Sequence, residues 1–383
     1  MSMKHVPAIV AVLASLAAPV AAHERAVVFP DTPDGEVILA ADLHTHSVFS
    51  DGAVWPSIRV EEAHRDGLSV MAVTEHLEYQ PHKADIPNPD RNRSYGVAIE
   101  SLVKAQYRGL LVINGAEVTR DQPYGHINAV FVEDANALLT SDPRDAIEAA
   151  HAQGAFVFVN HPDWLPQQPD GVARLSGYQK QLIADGLLQG IEVANGTMDG
   201  LSEHALQIAL DHNLTVLGNS DIHGLVDWTH DAGHDGRRPM TLVLAADRSE
   251  EAFKKALFDG RTVAWYHDQL MGREENVQAV VRSCLSLLPE AFDGKTSVLA
   301  VTIKNACPVN FTLQNIGEQT FQNVNDTISI DRNGETKVQV RMSKATDSVA
   351  LAFDVLNTQI GYRKTLPTTL TADVPPTLSV PSR

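Results

Sequence analysis

Between Glu36 and about Trp265, short apolar runs alternate with amphipathic stretches, and no other feature of this 383-residue chain limits its fold so tightly. The runs are "EVILAADLH", "LSVMAVTEH", "LLVINGAEV", "HINAVFV", "GAFVFVNHP", "GIEVANG" and "LTVLGNSDIH". Between them lie "PSIRVEEAHRDG", "SYGVAIESLVKAQYRG", "DPRDAIEAAHAQG" and "SEHALQIALDHN", with apolar residues at helical spacing. Several close on glycine, as helices commonly do. A short apolar run bounded in this way reads as a buried strand. Strand and helix alternating at this spacing give βαβ units and a parallel sheet, open or closed into a barrel. Seven runs fit a somewhat irregular (β/α) barrel.

The ends of these runs carry the chemistry. Residues two apart on a strand point to one face, so His44 and His46 in "ADLHTH" project together, with Asp51 in the following loop. The second run places Thr74 and His76 on one face and turns Glu75 away. The third supplies Glu117, the fourth opens on His126, the fifth ends on His161, and the last ends on Asp221 and His223. The exception, "IEVANG", offers Asn195 as a hydrogen-bonding group behind the ligands. In an α/β barrel the carboxyl ends of the strands converge on one mouth. Nine nitrogen and oxygen donors there are too many for one ion, since zinc takes about four, and they suit two or three cations. By contrast His64, His151, His204 and His212 fall within the helical patterns, where a solvated surface position is expected.

Beyond about residue 275 helical periodicity is absent. "SVLAVTIKNA", "VNFTLQNIG", "DTISIDRNGETKVQVRMS" and "SVALAFDVLN" are β-rich and broken by turn signals such as "RNGE". A second domain over residues 275–383, a small β-sandwich, is expected. At the other end, "MSMKHVPAIVAVLASLAAPVAA" has a basic start, an apolar stretch and small residues at Val20 and Ala22, the marks of a secretory signal peptide over residues 1–22. No later stretch is apolar for long enough to cross a bilayer. The mature protein is thus expected to be exported, periplasmic or secreted, with no transmembrane span. Export makes Cys284 and Cys307 candidates for a disulfide. A net charge of −18 argues against long nucleic acids as partners, which need a basic surface.

The series "DLHTHSVFSDG", "VTEH", "GAEV", "GHINAV", "VNHP" and "NSDIH", in that order, resembles the polymerase and histidinol phosphatase (PHP) superfamily over roughly residues 36–265. The resemblance implies a distorted (β/α)7 barrel, spanning residues 23–274, with two to three divalent ions of zinc, manganese or iron. It also implies that His44, His46, Glu117 and Asp221 hold one ion. Glu117 would bridge to a second ion shared with His126 and His161, and Asp51, His76 and His223 would hold the third. The leader and the β-domain are foreign to the polymerase members of the family.

The chemistry expected of such a centre is hydrolysis of a phosphate ester, foremost a small-molecule phosphomonoester. Metal ions lower the pKa of bound water and offset charge on phosphate oxygens, so no serine or cysteine nucleophile is required. Asp51, Glu117 and His223 are the candidate catalytic residues. By the same resemblance Glu117 would act as the bridge, and Asp51, His223 or a metal-bound water would protonate the leaving group. Candidate phosphate contacts are His82, Lys83, Arg91 and Arg93 in "EYQPHKADIPNPDRNRSYG", together with Arg120 after Glu117 and Arg261 in "FDGRTVAWYH". One rival is a phosphodiesterase or exonuclease acting on short oligonucleotides with the same ions. Another is a carbohydrate-associated binding protein with a vestigial hydrolase site, and a third is metal-dependent amide or ester hydrolysis. The complete ligand set weighs against lost catalysis.

Overall fold

All seven apolar runs form strands in the computed structural model, which describes residues 27–197, 200–230, 237–293 and 295–376. The expected signal peptide lies outside the described residues. The seven are β1 (Val37–Asp42), β2 (Val70–Val73), β3 (Leu111–Thr119), β4 (His126–Val130), β5 (Phe156–Val159), β6 (Gly190–Asn195) and, after the two-residue β7 (Gly200–Leu201), β8 (Thr215–Asn219). The four helical patterns form α1 (Pro56–Arg65), α2 (Arg93–Ala105), α3 (Pro143–Ala152) and α5 (Glu203–Asp211); α4 (Gly177–Ala184) follows β5.

The sheet curls into a distorted barrel with mixed strand directions. β1 and β2, β2 and β3, β5 and β6, and β6 and β8 pair in parallel. β4 runs antiparallel to both β3 and β5. The loop between β3 and β4 is too short for the crossover that a parallel pair requires. Three further strands, unmarked in the sequence reading, extend the other edge: β9 (Met240–Ala245), β10 (Thr262–Tyr266) and β11 (Gln269–Gly272), antiparallel in the series β1–β9–β10–β11. Side chains close the curl between β8 and this edge. Thr241 Oγ1 accepts from Gly218 N and donates to Gly218 O, and Thr262 Oγ1 donates to Val216 O.

Alternation sorts the strand residues between an inner core and two outer clusters. Leu39 and Ala41 of β1, with Phe156 and Phe158 of β5, pack inside the curl with Leu217 and Val243. Ile38 and Ala40 face the opposite way, as do Val157 and Val159. Burial on both faces explains why these strands read as near-continuous apolar runs. The short α6 (Val226–Thr229) follows β8, and α7 (Glu250–Phe258) places Phe253 and Leu257 in the inner core.

The expectation that helical periodicity ends near residue 275 is wrong for one element. Glu274–Cys284 forms α8, with Val277, Val280, Val281 and Cys284 buried at helical spacing. The sandwich strands follow it. β12 (Leu285–Pro289), β13 (Val298–Asn305), β15 (Thr320–Phe321) and β17 (Glu335–Arg341) form one sheet. The other sheet comprises β14 (Phe311–Asn315), β16 (Thr327–Ile330), β18 (Ser348–Val355) and β20 (Leu366–Asp373). Between β18 and β20, β19 (Thr358–Gln359) leaves the sandwich and pairs in parallel with β11 at the edge of the barrel sheet. Cys284 and Cys307 are joined by a disulfide that ties the end of α8 to the loop after β13. One apolar cluster runs from Ile38 and Leu68 through the valines of α8 to Leu299, Phe353 and Leu370.

This shared core predicts how the two units depend on each other. A chain ending at residue 274 keeps all nine proposed ligands but loses α8 and β19. Burying a valine is worth about 1.5–3 kcal/mol, and about 1 kcal/mol moves the unfolding midpoint of a unit this size by about 2–4 °C. A fall of about 10 °C or more is expected by scanning calorimetry, and an unchanged midpoint would count against the shared core.

Candidate metal centre

The ligand-bearing segments stay aligned beyond the ends of their strands because backbone pairing continues there. His46 N donates to Ile222 O, and Asp221 N donates to His44 O, so the segments after β1 and β8 are joined at the mouth. On the other side Leu77 N donates to Glu117 O, and Glu117 N donates to Glu75 O. Thr74 links the pairs: its backbone N–H donates to Thr45 O, and its Oγ1 accepts from Thr45 N. Asp51 is returned to the mouth by a tight turn at Gly52, where a Cβ would lie 2.8 Å from the backbone of His46 and Ser47. Glu75 points away from the ligands and accepts from Ser47 N and from the Ser47 and Ser50 hydroxyls, fixing the same turn.

Glu117 is the centre of the cluster and is fully buried. Its Oε2 lies 3.2 Å from both His44 Nε2 and His46 Nε2 and 3.0 Å from His76 Nδ1. Its Oε1 lies 2.8 Å from His126 Nδ1. Asp221 Oδ1 approaches the same two imidazoles, 3.1 Å from His44 Nε2 and 3.0 Å from His46 Nε2. At the open lip, Asp51 lies 3.2 Å from His223 Nε2 and 3.4 Å from His76 Nε2. His161 stands further off, its Nε2 3.9 Å from Glu117 and 4.0 Å from Asp221. His161 and Asp221 both adopt positive φ, 26° and 51°. Backbone strain of this kind persists where the surroundings impose it, often at functional sites.

These donors suit metal ions. His46 Nε2, Asp51 Oδ1, Glu117 Oε1, His126 Nδ1 and His161 Nδ1 are buried without a hydrogen-bond partner. Groups with ligand atoms within 4.8 Å of one another are His46–Asp51–His76–His223, His44–His46–Asp221 and His76–Glu117–His126. Imidazole nitrogen mixed with carboxylate oxygen is the donor set of zinc, iron and manganese.

Without metal, the cluster offsets its buried carboxylates with protons. Burial would push the His44 imidazole down, but Asp221, Glu192 and Glu117 hold it well above the ordinary histidine value. His76, also opposed by burial, is pushed up to about 11 by Glu117 and Asp51. Burial would raise the Glu117 carboxyl, yet His76, His44 and His126 hold it well below the usual range. In His161 burial wins and lowers the pKa. At neutral pH, His44 and His76 of the metal-free protein therefore carry protons that a metal must displace, and metal affinity rises with pH. Zinc added to metal-free protein in weak buffer near pH 7 is expected to release at least about one proton per chain. A titration with no release would contradict this charge state.

Sequence reasoning missed Glu192. This buried carboxylate on β6 lies 2.8 Å from His44 Nδ1 and accepts from His161 N, Asn195 Nδ2 and Asn219 Nδ2. It orients His44 so that Nε2 faces Glu117 and Asp221, and it fixes the strained backbone of His161. Asn195 takes the expected place behind the ligands, donating to Glu192 and Asp221. Arg59 of α1, also missed, donates from Nε to His46 O and from Nη2 to His223 O, while Glu62 accepts from Arg59 and from Val226 N. Changing Glu192 to Gln is expected to weaken metal retention about 10–100-fold, measured by chelator competition with circular dichroism as the fold control. Retention equal to the parent would reduce Glu192 to a packing role.

The expected phosphate contacts fare unevenly. Arg120 lines the cavity of about 710 Å³ at the mouth, 2.8 Å from Glu78 and donating to Thr140 O. Arg91 is turned inward and donates to Leu77 O. Arg93 pairs with Glu100 on the surface of α2. His82 and Lys83 lie in the loop outside the cavity wall. Arg261 sits at the opposite end of the barrel, paired with Glu36 and bonded to Asn276. It precedes β10, which runs in the same direction as β1, so it lies beside the start of β1 while the ligands follow its end.

A family model described as an Ig-like domain matches residues 285–371. A two-domain protein from Bacteroides vulgatus containing a predicted PHP-like metal-dependent phosphoesterase is 36% identical, with a TM-score of 0.82 over 91% of this chain and 98% of that one. A putative metal-dependent phosphoesterase from Bifidobacterium adolescentis is 21% identical over 48% of this chain and 87% of its own, with a TM-score of 0.37. An amidohydrolase from Chromobacterium violaceum is 18% identical over the same shares, with a TM-score of 0.34. No curated protein matches the chain.

Proposed function

This chain belongs to the PHP-like metal-dependent phosphoesterases, and from that premise we propose that it is an exported hydrolase of small-molecule phosphomonoesters. The observation that carries the reading is the meeting of Glu117 with four imidazoles at the mouth of the barrel. The catalytic unit is the barrel, residues 23–274, followed by the β-domain over residues 275–383.

His44, His46, Glu117 and Asp221 would hold one ion, Glu117, His126 and His161 a second, and Asp51, His76 and His223 a third. Divalent zinc, manganese or iron bound there supplies an activated water and offsets charge on the phosphate oxygens. Glu117 is fully buried, with Oε2 facing His44, His46 and His76 and Oε1 facing His126, which suits it to bridge. Asp51 and His223 are the most open of the set, so a leaving-group oxygen meets the cluster along their edge. The chain has two cysteines, and both are in the disulfide, so neither is free to act as a nucleophile. The leader expected at residues 1–22 and the disulfide, which suits an oxidising compartment, support export to the periplasm or the medium. The net charge of −18 favours small substrates over long nucleic acids.

Two measurements test the reading. Metal-loaded protein is expected to hydrolyse phosphomonoesters faster than a bis-ester or an aryl acetate, and to stop on chelation. Preference for the bis-ester or the acetate would overturn it. Elemental analysis is expected to give two to three ions per chain. Glu117→Gln should lose metal from two sites together, whereas His223→Ala should lose about one ion. Full metal content in Glu117→Gln would remove Glu117 as the bridge.

A further inference from the structure

The cavity wall beyond the metal-binding groups has a composition that none of the roles above requires. Two large aromatic side chains rise from it. Tyr79, in the loop after β2, is 54% exposed and meets the His76 ring edge-on at 5.8 Å. Trp164, in the loop after β5, packs 5.3 Å from the His126 ring and 5.1 Å from the His161 ring. A turn fixes it in place, with Trp164 N donating to His161 O and Trp164 O accepting from Gln167 N and Gln168 N. In the sheet, β2 and β5 lie on either side of β3 and β4, which carry Glu117 and His126. Tyr79 and Trp164 therefore flank the deepest part of the ligand cluster.

The charges around them are one-sided. Among the described residues Arg120 is the one guanidinium or ammonium group on the wall, and it is already paired with Glu78. Glu78 and Asp121 add two carboxylates away from the metal ligands. A phosphate can be met by cations at the cluster, but a second anionic group lying outward would face Glu78 and Asp121 with no unpaired guanidinium or ammonium group among the described wall residues. A ring that needs no charge partner suits this wall, because aromatic faces hold flat or C–H-rich surfaces without one.

The geometry points to a substrate class: a monophosphate ester of a ring-bearing alcohol with no second anionic group, its ring held between Tyr79 and Trp164. This rests on the phosphoesterase reading and narrows it. The reaction needs water alone. The P–O bond to the ring alcohol breaks, the hydroxyl of water joins phosphorus, and its proton ends on the alcohol oxygen. Sugar rings and nucleoside rings share the required chemistry.

The test compares esters of a hexose, a nucleoside and glycerol, each with one phosphate, and a hexose bisphosphate, on the metal-loaded full chain. Their phosphonate analogues, which cannot be hydrolysed, are titrated in parallel. Both ring monophosphonates or one of them should bind about tenfold tighter than the glycerol compound, and Trp164→Ala should collapse that ratio. The bisphosphate analogue should bind about tenfold more weakly than the hexose monophosphate analogue, a gap that Asp121→Asn should narrow. The kcat/KM ratios should follow the same order, and a ratio within one variant cancels differences in metal loading or folding. Which ring wins separates the sugar from the nucleoside source. Equal binding of ring and glycerol compounds in the parent overturns the inference. So does a ratio untouched by both Trp164→Ala and Tyr79→Ala, or a bisphosphate bound as well as the monophosphate. Ring-selective binding without hydrolysis of any ester would instead overturn the phosphoesterase reading and leave the ring site standing.

Discussion

A carboxylate with no exposure to water, facing four imidazoles, is the constraint around which this molecule is built. A bare charge buried as deeply as Glu117 is strongly disfavoured, and the charge persists only where cations or protons meet it from close range. The structure meets it from three strand segments at once, with His44 and His46 after β1, His76 after β2 and His126 at the start of β4. Protons on His44 and His76, whose pKa values are raised, balance the cluster without metal, and the same mixed donor set suits divalent ions.

Rigid backbone makes the arrangement reproducible. The pairing of His46 with Ile222 and of Leu77 with Glu117 carries sheet order past the last regular strand residues. Behind that layer sit groups that do not line the cavity. Glu192 sets the His44 ring, and Arg59 grips the carbonyl oxygens of His46 and His223 from α1. Small errors in such supports move ligand atoms, so the specificity of the centre resides as much in these residues as in the donors.

The gathering of these side chains at one mouth was legible in the sequence because strand ends are marked by a change from apolar to polar residues and a two-residue period fixes the face, although His161 stands outside the close groups of the other eight. Glu192 was not, since a lone acidic residue inside a strand reads the same whether it is solvated or bonded by two asparagines from its own and the next strand. Arg59 was hidden for a related reason: on an amphipathic helix an arginine ordinarily lies on the wet side, and only the fold turns this one inward. Arg261 was misplaced because a basic residue beside an apolar run says nothing about which end of the barrel it occupies. β9 and β10 lie within the stretch read as alternating but carry none of the nine proposed ligands at their ends to mark them, whereas β11 and α8 fall beyond Trp265, where the pattern was taken to stop, although Val277, Val280, Val281 and Cys284 do carry helical spacing. The β-rich composition beyond about residue 275 did mark a β-sandwich, and the Ig-like match over residues 285–371 falls within it.

β19 has a consequence for the order in which this protein can form. It comes from late in the chain, between two strands of the second domain, and completes the outer edge of a sheet whose other strands end at Gly272. Until Thr358 and Gln359 are available, β11 is an unprotected edge, the kind of surface on which chains join one another. The outer edge of the barrel sheet therefore stays open while the C-terminal region is still being delivered. The second domain acts as a timed cover, and the long sequence separation of this pairing makes closing that edge a late event in folding.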